Sequence, residues 1–108
     1  MTLIKKIRVV LDYGCYPVWL YDEDGDLIDT LLPEEIRSNA ELDSKFDDLQ
    51  SRYEALFINN SNEFSFVGFK NEEEKQKFLI DWKSAVNELK IATNGLYEIS
   101  DEIDKVFI

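Results

Sequence analysis

The stretch Val18-Trp-Leu-Tyr-Asp-Glu-Asp-Gly-Asp-Leu-Ile-Asp-Thr30 decides the fold class. Two short runs rich in strand-forming residues flank Asp22-Glu-Asp-Gly-Asp26, and the Asp24-Gly25 pair readily takes the positive φ angles of a tight turn. The segment reads as a β-hairpin. In strand register Trp19 and Tyr21 share one face while Val18 and Leu20 share the other. Either pair fits a core, so this stretch alone leaves open which face is covered.

Upstream of the hairpin, Ile4 to Leu11 reads as a strand, because Ile7, Val9 and Leu11 alternate with other residues and the run is rich in β-branched types. A helix competes there, since Leu3, Ile7 and Val10 fall at helical spacing. Gly14 and Pro17 then predict a turn or irregular crossing. Downstream, Pro33 suits the first turn of a short helix carrying Glu34 and Glu35. Ser38 and Glu41 have capping-box spacing ahead of Leu42, Phe46, Leu49, Tyr53 and Leu56, which mark one buried helical face ending at Asn59-Asn-Ser-Asn62. A strand is expected around Phe64 and Phe66. A second long helix opens at Asn71, with Glu74 three residues on, runs through Phe78, Trp82, Val86 and Leu89, and closes at Asn94-Gly95. The tail from Leu96 to Ile108 reads as a short strand around Tyr97 to Ile99, followed by a helical turn or a disordered end. The expected architecture is α+β, a small antiparallel sheet with two long amphipathic helices packed on it, in a single domain over residues 1–108.

Composition narrows the chemistry. The 108 residues carry 23 acids and 12 bases, a formal net charge of −11, and contain no histidine and one cysteine. Such a field repels phosphate backbones and anionic lipid, so neither nucleic acid nor membrane is the expected partner, and a basic protein is. Without histidine there is no Ser-His or Cys-His pair, and no catalytic residue or cofactor site is assigned. Cys15 cannot form an intramolecular disulfide, which fits a reducing cytoplasm, and no stretch approaches the length of a membrane span. The charge is also uneven. Residues 1–21 hold Lys5, Lys6 and Arg8 against Asp12, a balance of +2, which leaves −13 for residues 22–108.

The acidic turn is the first candidate site. Counted as a calcium loop from Asp22, it has oxygen ligands at the first, third and fifth positions, but Leu27 stands where glycine is needed and Pro33 where glutamate is needed. No metal site is assigned. A metal-binding enzyme that uses Asp22 to Asp26 is one alternative; an acidic regulatory adaptor or nucleic-acid mimic is another. The favoured reading is a partner-binding patch made of Trp19, Tyr21, Asp22, Glu23, Asp24 and Asp26, since exposed aromatics beside carboxylates suit a cationic protein surface. A solvated Asp-rich turn over core aromatics is the plain alternative. Phe46, Tyr53, Phe78 and Trp82 lie in apolar helical stripes and read as core.

The segments Tyr13-Gly-Cys-Tyr-Pro-Val-Trp-Leu-Tyr-Asp-Glu-Asp-Gly25, Leu32-Pro-Glu-Glu35, Tyr53-Glu-Ala-Leu-Phe57 and Phe66-Val-Gly-Phe69 resemble small immunity proteins of bacterial polymorphic toxin systems. The resemblance spans most of the chain. It implies a cytoplasmic, non-enzymatic protein that binds and neutralises a cognate toxin domain by covering its active site, the toxin commonly being a nuclease. A nuclease must hold phosphates and is often basic, so an acidic inhibitor competes for the same surface. No contact residues carry over from the resemblance.

Overall fold

The structure, a computed structural model, describes residues 3–105. Strand β1 (Ile4–Val9) pairs with β2 (Val18–Asp22), which turns into β3 (Leu27–Thr30). After a single 3-10 turn at Glu34–Ile36 come α1 (Ala40–Glu54), β4 (Phe57–Asn59), β5 (Phe64–Phe66), α2 (Glu72–Thr93) and β6 (Glu98–Asp101), with a last 3-10 turn at Ile103–Lys105. Residues 106–108, on which part of the tail expectation falls, lie outside the described residues.

Period two wins over helical spacing in β1. Ile7 and Val9 are fully buried while Lys6 and Arg8 sit half-buried on the opposite face. The main sheet has the order β3-β2-β1-β6, and the α+β architecture is as the sequence predicts. Its pairing is antiparallel except between β1 and β6, which run parallel with Ile7 opposite Ile99. A parallel neighbour needs a long crossover, and the segment from β2 through α2 supplies it.

One face of the sheet is closed by the helices. Ile7, Val9, Val18 and Leu20 pack with Leu42, Phe46 and Leu49 of α1 and with Phe78, Trp82 and Leu89 of α2. Each large side chain buried this way contributes roughly 1.5–3 kcal/mol. Trp82 is fully buried yet keeps its indole N–H satisfied, donating to Asp101 Oδ1 at 2.8 Å and tying α2 to β6. Phe46, Tyr53 and Phe78 are likewise core.

Two sequence expectations need correction. The cap of α1 is Asn39, whose side chain accepts the Leu42 N–H, and not Ser38 one residue earlier. The helix also stops at Glu54, well short of Asn59. Leu56 keeps the helical spacing and is buried, but its N–H donates to Tyr53 O in a tightened last turn. Its carbonyl accepts from Val67 and Gly68 at 2.7 and 3.1 Å, so the chain leaves the helix to form the β4–β5 hairpin. At α2 the caps are as the sequence indicates: Asn71 accepts from Glu74 N at 2.8 Å, and Asn94 is left-handed with φ 47° before Gly95.

Candidate partner-binding surfaces

The register of β1 and β2 answers which face of the first hairpin is covered. Val18 and Leu20 belong to the core, so Trp19 and Tyr21 project from the other face beside Lys6 and Arg8. Both aromatics are half-buried because Arg8 occupies the space between them. Its guanidinium carbon lies 5.6 Å from each ring centroid, and Nη1 donates to the Tyr21 hydroxyl at 2.8 Å. The other edge of the guanidinium makes a two-pronged contact with Glu102, at 2.5 and 2.7 Å, where the carboxylate is almost wholly buried. The bond to Glu102 raises the Arg8 pKa still further above its ordinary value, against the lowering by burial. Trp19 donates its indole N–H to Tyr16 O at 2.9 Å. Sequence reasoning counted Arg8 only as a strand charge; its cross-strand position opposite Trp19 is the signal that places it here.

The acidic turn sits at the end of that face. Asp22 is not a free carboxylate, since its Oδ1 accepts the backbone N–H groups of Asp24 and Asp26, both at 2.9 Å, and Gly25 takes φ 85°. Glu23, Asp24 and Asp26 point to solvent. The fold also brings cations to them: Ile4 lies opposite Asp22 and Lys6 opposite Tyr21, which sets the basic start of the chain alongside the turn. A shallow groove of about 500 Å³ runs between Lys5, Lys6, Arg8, Tyr21, Glu23 and Glu98. The charge separation along the sequence is thus partly cancelled in space. Among the described residues no group of three or more His, Cys, Asp or Glu side chains is placed to hold a metal ion.

A second surface lies at the opposite end of β2 and was not legible as a site. The loop after β1 carries Tyr13, fixed by Gly14, whose N–H donates to Glu54 Oε2 at 2.7 Å and whose φ of 78° suits glycine. The Tyr13 hydroxyl accepts from Asn59 Nδ2 at 3.0 Å, and its ring meets Phe57 and Phe64 edge-on at 5.2 and 4.9 Å. Phe57 stacks on Phe64 at 5.3 Å and contacts Phe66 and Tyr53 at 5.2 Å each. Despite these contacts Phe64 is 58% exposed and Phe66 54%, with Val67 and Ile58 also open to solvent. The alternation of Phe64 and Phe66 announced a strand, but the missing sign was its partner, because Leu56 made residues 57–59 look helical.

Elsewhere several ionisable groups tie elements together. Lys45 pairs with Glu88 and Arg52 with Asp81, both between α1 and α2. Tyr16 donates to Asp43 at 2.8 Å, and burial with that bond pushes its hydroxyl above the ordinary range. Cys15 is half-buried in the turn bridged by Asp12 and Cys15.

Aromatic rings gather at both surfaces outside the core, and aromatics are enriched where proteins bind one another. The chain belongs to the Serratia CdiI immunity protein-like family, whose family model matches residues 5–100. This is a family of immunity proteins and not of enzymes, in line with the resemblance carried by the aromatic segments. No curated protein matches the chain. Among the described residues no helix is long and apolar enough to cross a membrane.

Proposed function

We propose that this protein, acting in the cytoplasm, binds a cognate toxin domain stoichiometrically and neutralises it by covering its active site, and that the toxin is a basic nuclease. The observation that carries the reading is the family match over residues 5–100, joined to a net charge of −11. An anionic protein and a phosphate-binding groove have complementary potentials, which speeds encounter and disfavours other partners. The open face of the sheet takes part in this contact through Trp19 and Tyr21, with Glu23, Asp24 and Asp26 facing the toxin's cations. Asp22 has a different part: it holds the turn in shape through its two backbone bonds.

The test is to mix the tagged protein with the toxin encoded beside its gene. A salt-sensitive complex and loss of toxicity are expected. Absence of both refutes the reading.

A further inference from the structure

We infer that the β4–β5 hairpin, with Tyr13 packed against it, is the apolar centre of the toxin-binding surface, and that its occupant is an apolar patch ringed by lysine or arginine. The inference rests on the toxin-binding reading above and adds where and by what chemistry the grip is made. Large exposed apolar side chains scattered singly are ordinary, whereas Phe64 and Phe66 stand on one face of the ribbon, beside Phe57 and Tyr13, and are 58% and 54% exposed. The ribbon is only three residue pairs long, too short to persist by itself, yet it is pinned to Leu56 O and locked by ring contacts to Tyr13 and Tyr53. Aromatics already held in place lose little side-chain freedom on binding, which is what a residence-determining contact needs.

Charge selects the occupant. Between Tyr53 and Phe69 the chain has no lysine or arginine; Glu54 is taken up by Gly14 and Gln50, which leaves Glu63, and Asp12 beside Tyr13, as the exposed carboxylates. A second copy of the chain would bring two surfaces of the same negative sign together, which costs affinity. A basic partner meets no such penalty.

The experiment measures association and dissociation of the full chain with the purified toxin domain encoded beside its gene. Three proteins are compared: the wild type, the double variant Phe64→Ser with Phe66→Ser, and a control with Ile80→Ser and Ile91→Ser, which alters exposed aliphatics on α2. The hairpin variant is expected to dissociate at least ~30-fold faster, with the control within about threefold of wild type. Amide exchange of residues 57–67 in the wild-type complex reads the same surface without a substitution, and slowed exchange is expected. A wild-type complex with unchanged dissociation in the hairpin variant and unprotected amides overturns the inference and leaves the toxin reading standing. No wild-type complex at all overturns both. A dimer of the free chain that the hairpin variant abolishes assigns the surface to a second copy, and overturns it too.

Discussion

The acidic turn between β2 and β3 and the aromatic hairpin of β4 and β5 lie at opposite ends of the β2 strand and reach solvent by different routes. At the turn, exposed charge is partly offset by its surroundings. Asp22 is absorbed by two backbone N–H groups, Lys5 and Lys6 stand alongside, and Arg8 fills the gap between Trp19 and Tyr21 while pairing with Glu102. At the hairpin the exposed surface is apolar: Phe64 and Phe66 rest on Phe57, Phe64 also on Tyr13, and more than half of each ring residue is open to solvent. Conspicuous charge in a sequence therefore need not mark the surface with most to gain from a partner. Buried apolar area supplies affinity, while charge chiefly sets encounter rate and specificity.

The largest expected effect tests whether the open face is held by charge. Arg8→Met takes the guanidinium away from the buried Glu102 carboxylate and should destabilise the protein by on the order of 3 kcal/mol, read as a shift in urea midpoint. Adding Glu102→Leu should restore most of the loss, as the carboxylate then no longer needs a counter-charge. Equal midpoints for Arg8→Met and wild type would mean that Trp19 and Tyr21 need no cation between them.

A smaller effect concerns encounter. Reversing Glu23, Asp24 and Asp26 to lysine should slow association with the toxin domain by up to about tenfold at low salt and very little at high salt, with dissociation nearly unchanged. Replacing Lys5 and Lys6 by glutamine should do the opposite, because the same turn loses its neighbouring cations. Stopped-flow kinetics at two ionic strengths separates the two. The smallest effect is Asp22→Ala, which removes the one side-chain oxygen that accepts two backbone N–H groups in a solvent-exposed turn. It should cost about 1 kcal/mol of stability, visible in denaturant titration, without the salt-dependent signature of the reversal.

The elements legible from the sequence are those whose local signals agree with the global packing. The Asp24-Gly25 turn, the Asn71 cap with its Glu74 partner, and the Asn94-Gly95 stop each act within a few residues, and the apolar stripe of Phe78, Trp82 and Leu89 is long enough to leave one choice of period. The β4 strand was hidden for a physical reason. Leu56 is buried at a helical interval, yet it is reached by a turn, and its carbonyl serves Val67 and Gly68, eleven and twelve residues on. Non-local bonds of this kind leave no periodic trace. The same holds for the β1–β6 pairing and for Arg8, whose partner Glu102 is 94 residues away. The aromatic segments carried the family resemblance, but not which rings stay exposed, because exposure depends on what the fold brings against each face.

The most direct test of the account is a titration of the toxin domain's activity with the purified chain. It predicts a linear fall to complete inhibition at equimolar protein, as expected when a stoichiometric partner covers an active site. Full activity in the presence of a molar excess would contradict it.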